Sequence, residues 1–193
     1  MFADYLELRL AVAELTGRRD LSDIMPSLVQ RAESRMNRKL RQSDQITTAT
    51  VTMVAGVGDL PVDFIEAIEV KSGTCIYPQV TPIMADRSYS SNYAVKGNPK
   101  KLYLTNFVGD LTVMYYAKLP TLTTTVATTN WLLEEAPDVY LYAVAREVAI
   151  HVKDKELRDL MAGEYRDALG EIKSDNRRRQ YGNAVVQVEG PTP

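Results

Sequence analysis

Apolar residues recur at helical spacing in the N-terminal part of the chain. Helices are predicted over 3–15 and from about Pro26 onward, where a proline suits the first turn because its missing N–H needs no partner there. Gly17 ends the first helix, since glycine readily takes the left-handed C-cap conformation. The predicted apolar faces are Leu6, Leu10 and Ala13 in the first helix, and Val29, Ala32, Met36 and Leu40 in the second.

From Gln45 onward the apolar period changes from about 3.6 to about 2, and threonine and β-branched residues become frequent. Strands are predicted over 46–54, 65–70, 74–77, 93–95, 101–104 and 111–117. The segment 56–58 is predicted to be a hairpin turn, because a phosphate loop would need a third glycine and a following helix. Short strands at this spacing predict a small antiparallel sheet or sandwich.

Helical periodicity returns near Pro137, with a further helix predicted over 155–174. The polar stretch 121–130 is predicted to be an exposed connection. The predicted fold class is α+β: a four-helix bundle of two N-terminal and two C-terminal helices, with an inserted antiparallel β-sheet or sandwich domain and an extended C-terminal arm. The predicted divisions are 1–44 for the N-terminal helices, 45–122 for the β domain, 123–175 for the connection and C-terminal helices, and 176–193 for the tail.

The chain offers few residues for catalysis. Its 193 residues include one histidine and one cysteine, which excludes a disulfide framework, a multi-cysteine metal site and the paired histidines of zinc proteases. His151 is predicted to lie at a helix surface, and Cys75 to be a small buried residue of a strand. We therefore expect no enzyme activity, no catalytic residue, no metal and no other cofactor.

Positive and negative charges are nearly balanced, with 23 Lys and Arg against 25 Asp and Glu and a net charge of -2 at pH 7. This balance excludes a strongly basic surface over the whole protein. The N-terminus carries acidic residues where a signal peptide needs basic ones. No stretch approaches the roughly 18 consecutive apolar residues of a membrane helix. A soluble protein made in the cytoplasm, without membrane contact, is therefore expected.

The strongest charge feature is a basic stripe on the predicted second helix. It consists of Arg31, Arg35, Arg38, Lys39 and Arg41. Such a stripe fits contact with DNA phosphates, or else a solvated or inter-subunit salt-bridge face. The second interpretation is favoured, because a run of charges on a helix is usually a solvated or salt-bridged face. No aromatic residues are interleaved with the stripe, which argues against binding of single-stranded nucleic acid. Tyr140 and Tyr142 cannot face the same side of a helix, so at least one is a candidate for contact with a neighbouring subunit.

The C-terminal tail joins a basic run to an apolar one. Its candidate binding residues are Arg177, Arg178, Arg179, Tyr181, Val185, Val186 and Val188. The valines favour a short strand, and an isolated strand needs a partner that supplies a sheet edge. The tail is therefore predicted to bind another protein.

Five segments, in this order and spacing, resemble the head-to-tail adaptor (connector, or head completion) proteins of tailed phages, which form a ring below the portal. The segments are AESRMNRKLR at 32–41, LPVDF at 60–64, YYAKLPTL at 115–122, NWLL at 130–133 and PDVYLY at 137–142. The resemblance covers most of 20–175, and the sequence departs most from the family at 74–98 and in the tail.

The resemblance implies a structural protein of the virion neck, made in the host bacterial cytoplasm. Copies of such adaptors, usually twelve, form a ring that docks on the portal protein, extends the DNA channel and provides a platform for tail or nozzle proteins. Double-stranded DNA then passes through without sequence recognition. The family fold is a helical bundle with an inserted β domain, and its C-terminal segment commonly grips the portal. No catalytic residues are implied.

This reading makes the tail residues candidates for portal binding, and the basic stripe and the two tyrosines candidates for inter-subunit or DNA-channel contact. Two alternatives stay open: another tail-completion or tail-tube protein, and a duplex-DNA-binding protein that uses the basic helix at 31–41. A wall-degrading enzyme of the virion tail is disfavoured because an obvious pair of carboxylates on one face is missing.

Overall fold

The structure is a computed structural model that describes residues 4–87, 91–125 and 127–181. These residues form helices and antiparallel sheets, which confirms the predicted α+β class. The helices within the described residues are α1 (Tyr5–Thr16), α2 (Met25–Lys39), α3 (Pro82–Arg87), α4 (Trp131–Glu135), α5 (Pro137–Val152) and α6 (Lys155–Tyr181). The strands are β1 (Ile46–Met53), β2 (Val57–Asp59), β3 (Phe64–Ser72), β4 (Cys75–Tyr77), β5 (Tyr93–Lys96), β6 (Lys101–Leu104) and β7 (Gly109–Ala117).

The chain divides into two compact units. The described parts of 1–43 and 119–193 form the helical unit, and the described part of 44–118 forms the β unit. In the helical unit α5 packs against α1, α2, α4 and α6. Its core is apolar and includes Leu8, Val12, Leu28, Met36, Leu132, Val144 and Leu169. Burial of such side chains contributes about 25 cal/mol per Å² of apolar surface and is the main force that holds the unit together.

The helix α1 has a cap at each end. The side chain of Asp4 accepts hydrogen bonds from the backbone N–H groups of Leu6 (2.8 Å) and Glu7 (2.9 Å). Gly17 takes the left-handed conformation at the C-cap, with φ of 64°, as its sequence position predicts. These contacts satisfy backbone groups that the ends of a helix leave without intrahelical partners.

The buried face of α1 differs from the predicted one. Its buried residues are Tyr5, Leu8 and Val12. Leu6 and Leu10, predicted to be core residues, are 51% and 71% exposed. Because α1 carries apolar residues on more than one side, helical spacing alone does not select the buried side. Packing against α5 selects it.

The segment 121–130 that leads into α4 is mostly exposed or half-buried, as its polar composition predicts, but two of its described residues are buried. Leu122 and Asn130 are buried. The Leu122 N–H donates to Glu33 Oε1 (2.9 Å), and the Leu119 N–H donates to Asn37 Oδ1 (2.8 Å). Leu119, just before the polar stretch, and Leu122 within it therefore anchor the segment, because side chains of α2 accept hydrogen bonds from their backbone N–H groups.

The helix α6 continues to Tyr181, so the predicted extended tail is wrong for 176–181. No glycine or proline interrupts the run after Asp175 until Gly182, and arginine is a good helix former. Asn176 Oδ1 also accepts hydrogen bonds from the Ser43 hydroxyl (2.7 Å) and the Ser43 N–H (3.1 Å). The rest of the predicted tail, 182–193, lies outside the described residues.

The β unit contains two antiparallel sheets, with strand orders β1-β7-β3-β4 and β2-β6-β5. A two-residue turn joins β1 to β2, where Val54 and Val57 exchange backbone hydrogen bonds of 2.9 and 3.0 Å. Gly56 in this turn has φ of 79°. A hairpin is therefore confirmed here, but its turn lies at 55–56 rather than at 56–58, because Val57 and Gly58 belong to β2, which was not among the predicted strands. Cys75 is exposed rather than buried, because β4 is a short strand at the edge of its sheet.

Candidate interaction surface

The basic stripe of α2 lies on the surface of the helical unit. Arg31, Arg38 and Lys39 are exposed, and Arg35 is half-buried. Their spacing places all four on one side of the helix. Arg41 lies beyond the end of α2, where its guanidinium donates to a backbone carbonyl of that helix (3.1 Å).

Residues of α5 and α6 form a cleft together with the stripe. Two adjoining cavities, of about 180 and 140 Å³, share several lining residues. Their charged and polar lining residues are Arg35, Arg38, Lys39, Arg146, Glu147, Tyr165 and Arg166, which we call the basic cleft. Five cations therefore surround one carboxylate, and a concave surface lined by one sign of charge concentrates counter-ions. Arg31 does not line the cleft.

The single carboxylate of the basic cleft is almost fully buried. Glu147 is 2% exposed, and its Oε1 lies 3.0 Å from Arg35 Nε. Charge holds this pair, since the contact does not meet the geometry of a hydrogen bond. Breaking such a pair by removing one partner costs several kcal/mol, because the other charge stays buried without compensation. Glu147 thus fixes Arg35 in place and leaves the other cations of the cleft uncompensated.

Besides Glu147 Oε1, two buried polar atoms of the basic cleft have no hydrogen-bond partner among the described residues. They are the Tyr165 hydroxyl and Arg146 Nε. Burial raises the pKa of the Tyr165 hydroxyl, and the charge of Arg146 partly opposes this shift. Lys39 Nζ lies 5.8 Å from the centre of the Tyr165 ring. Donors of this kind, among cations, suit the binding of a carboxylate or phosphate oxygen.

A second polar cluster lies inside the helical core and ties α2 to α5 and to the segment before α4. The Tyr140 hydroxyl donates to Glu33 Oε1 (3.2 Å), and Asn130 Nδ2 donates to the Tyr140 hydroxyl (2.8 Å) and to the Pro120 carbonyl (3.0 Å). Burial raises the pKa of the Glu33 carboxyl, although hydrogen bonds from the Leu122 N–H and Tyr140 oppose the shift. Burial and the nearby Glu33 raise the pKa of Tyr140.

This cluster corrects one of the predicted contact residues. Tyr140 is fully buried and is a core residue, so it does not present its ring to a neighbour. Tyr142 is partly buried and packs against the helical core. Sequence patterns did not identify Glu33 or Glu147. One signal was available for Glu33: it is an acidic residue at helical spacing from Val29 and Met36, on the apolar side of α2.

The predicted binding residues of the tail are only partly described. Arg177 is exposed near the end of α6. Arg178 pairs with Asp175 (3.4 Å), and Arg179 pairs with Glu135 (3.3 Å). Both pairs are exposed, and exposed pairs contribute about 0–1 kcal/mol. Tyr181 is the last residue of the helix, while Val185, Val186 and Val188 lie outside the described residues.

A further groove of about 630 Å³ lies along α1. The exposed Leu6 and Leu10 line it together with Met25, and Arg9 and Arg18 add charge. Exposed apolar surface of this kind is frequently covered by a partner.

Within 4–87, 91–125 and 127–181, no group of three or more His, Cys, Asp or Glu residues is placed to hold a metal ion. His151 is exposed in the last turn of α5, as predicted. Among the helices of the same residues, none is long and apolar enough to span a membrane.

Comparison with known proteins gives one family. The family model described as SU10 adaptor protein matches residues 3–188. No curated protein matches the chain.

Proposed function

The chain belongs to the SU10 adaptor protein family, whose members are structural phage adaptors, and we propose that it forms a ring that docks on the portal. In this proposal the ring contains twelve copies, extends the DNA channel and carries the tail or nozzle proteins. DNA passes through it without sequence recognition. The same proposal includes the four-helix bundle with an inserted antiparallel β-sheet or sandwich, which the residue pattern predicts and which agrees with the helical bundle and inserted β domain that the resemblance implies.

The observation that carries the proposal is the extent of the family match. It runs from residue 3 to residue 188 and so includes both compact units and most of the C-terminal segment. Family membership implies association with portal and tail proteins and a place in the virion neck. A structural role also agrees with the basic cleft, whose five cations, one buried carboxylate and tyrosine suit an ionic contact with another chain.

We propose that the C-terminal segment makes the portal contact. The candidate residues are Arg177, Arg178, Arg179, Tyr181, Val185, Val186 and Val188. The three arginines lie at the end of a 27-residue helix. Because the pair of Arg178 with Asp175 is exposed, an acidic group of the portal can replace Asp175 at small cost.

Binding to DNA-filled capsids that have a portal but no tail tests this function. Purified protein is mixed with such capsids and separated by sedimentation, and cryo-EM then counts the copies below the portal. We expect a ring on wild-type capsids and no binding to capsids without a portal. Reversal of Arg177, Arg178 and Arg179 to Glu should abolish binding, whereas reversal of the exposed Asp23 to Lys should not. A protein that fails to sediment with portal-bearing capsids would contradict the proposal.

Duplex DNA binding is the alternative that the basic cleft favours. A mobility-shift assay at increasing salt distinguishes it, since each phosphate contact makes the affinity fall with salt concentration. Tight, salt-dependent DNA binding without capsid binding would support this alternative.

A further inference from the structure

The charges on the surface of α6 are separated by sign. Its acidic stripe consists of Glu164, Asp167, Glu171 and Asp175, at spacings of three, four and four residues, and all four side chains are exposed. At 3.6 residues per turn these positions share one side of the helix. The residues of α6 that line the basic cleft are Ala162, Tyr165, Arg166 and Leu169. Their mean direction lies roughly 160° from that of the acidic stripe, so the two charged surfaces are on opposite sides of α6.

Most of the acidic stripe is not neutralised within the subunit. In the described part of the chain, Glu164, Asp167 and Glu171 have no ion-pair partner, and Asp175 has only the exposed pair with Arg178 at 3.4 Å. Like charges three or four residues apart destabilise a helix by about 0.2–0.5 kcal/mol per pair. A cationic partner would offset this repulsion between the four acidic residues and so stabilise α6.

The basic cleft contains cations that have no acidic partner among the described residues. Arg38 and Lys39 are exposed and, within the residues that the structure describes, form no ion pair. The buried Tyr165 hydroxyl and Arg146 Nε also have no hydrogen-bond partner in the part of the chain that the structure describes. A carboxylate at the cleft gains charge-assisted contacts with the exposed Arg38 and Lys39.

We propose that the acidic stripe of α6 in one copy binds the basic cleft of the next copy. This inference rests on the proposed ring and identifies the two surfaces that join its subunits. A ring closed by rotation needs two different, complementary surfaces on each subunit, facing in different directions. One helix carries both surfaces on opposite sides, and their charges are opposite. DNA bound in the cleft would account for the cations but would leave the acidic stripe without a partner.

A charge-exchange experiment tests the pairing. The first variant reverses the cleft with Arg38→Glu and Lys39→Glu, the second reverses the stripe with Asp167→Lys and Glu171→Lys, and the third combines all four changes. These side chains are exposed, so each variant should fold. Its circular dichroism spectrum checks this, and its Tm measures the small loss expected from glutamates in the last turn of α2. Cryo-EM of portal-bearing capsids gives the number of copies in each ring, and sedimentation velocity gives self-association.

We expect each reversed surface alone to weaken association between copies by at least about tenfold, because close interfacial charge pairs contribute more than about 1.4 kcal/mol. The combined variant should restore complete rings, because each contact then joins reversed charges of opposite sign. The exposed control Asp23→Lys should leave assembly unchanged. Arg35 is left intact in every variant, since Glu147 needs it.

Three outcomes overturn the inference. If both single-surface variants form rings as complete as those of the wild type, other surfaces join the copies. Loss of assembly in both single-surface variants without recovery in the combined variant shows that the two surfaces do not contact each other. Duplex-DNA binding that is lost with the reversed cleft and is not recovered in the combined variant assigns the cleft to phosphate. Failure of the proposed function is separate, because wild-type protein would then not bind the portal at all.

Discussion

Replacing Glu33 by Gln tests whether the buried carboxyl weakens the helical unit when it ionises. Glutamine keeps the shape of the side chain, and its carbonyl oxygen still accepts hydrogen bonds from the Leu122 N–H and the Tyr140 hydroxyl. The charge is lost, and an NH2 group replaces Oε2 of the carboxyl. Because burial raises the pKa of Glu33 from its ordinary value of about 4.5, the folded state binds the proton more tightly than the unfolded state. Each unit by which the pKa is raised makes the ionised protein about 1.4 kcal/mol less stable.

The sign of this effect fixes the pH profile. The contribution of Glu33 to stability is fully present below about pH 4.5, where both states are protonated, and it is lost as pH rises through the raised pKa of the folded state. Glu33→Gln should therefore gain stability relative to the wild type as pH rises. Urea unfolding followed by circular dichroism, between about pH 4 and pH 8, measures this difference directly. The exposed Glu14→Gln is the matched control. Parallel pH profiles for the wild type and Glu33→Gln would refute the reasoning.

Three further outcomes are expected from urea unfolding of single variants. Tyr140→Phe should lower the free energy of unfolding by about 2–3 kcal/mol, because it removes the hydrogen bonds of the Tyr140 hydroxyl with the buried Glu33 carboxyl and the buried Asn130 amide. A decrease below about 0.5 kcal/mol would contradict this. Gly56→Ala should cost more than Gly73→Ala, although both glycines have positive φ, because only at Gly56 would a Cβ lie 2.8 Å from a backbone oxygen; equal losses would disprove the steric account. Leu8→Ala should lower the free energy of unfolding by about 2–5 kcal/mol and Leu10→Ala by less than about 0.5 kcal/mol, since only Leu8 is buried. A larger loss for Leu10→Ala than for Leu8→Ala would contradict this and favour the predicted buried face of α1.

Periodicity predicted the elements of this chain well where one side of an element is polar. The strands of the β unit alternate between buried and exposed residues, as in β7, whose pattern places Leu111, Val113 and Tyr115 inside. Glycines with positive φ mark the turns, so the ends of most strands followed from the sequence. The short α3 and α4 were not predicted, because five or six residues are too few to establish a helical period.

Periodicity failed where tertiary contacts decide the outcome. The apolar residues of α1 permit more than one buried side, and α5 selects the side that contains Leu8 and Val12. The end of α6 depends on local helix propensity and on the Ser43–Asn176 contact, which joins residues far apart in the sequence. The basic stripe was predicted as a surface feature. Its extension into a cleft required Arg146 and Arg166 from two other helices, and no sequence spacing relates them to Arg38.

The helix α2 stabilises the helical unit with one side and presents a charged surface with another. Its inner side carries Glu33, whose hydrogen bonds hold the segment before α4, and its outer side carries the exposed Arg38 and Lys39. Arg35 lies between these sides and is committed to Glu147, so it belongs to the folded structure as much as to the surface. Because removal of Arg35 would leave a buried carboxylate uncompensated, a defect at this position mixes loss of folding with loss of binding. Among the described residues Arg38 has no ion-pair partner, and Lys39 has only the contact of its Nζ with the Tyr165 ring at 5.8 Å. Changes at these two positions therefore leave no buried charge uncompensated and report mainly on the binding surface.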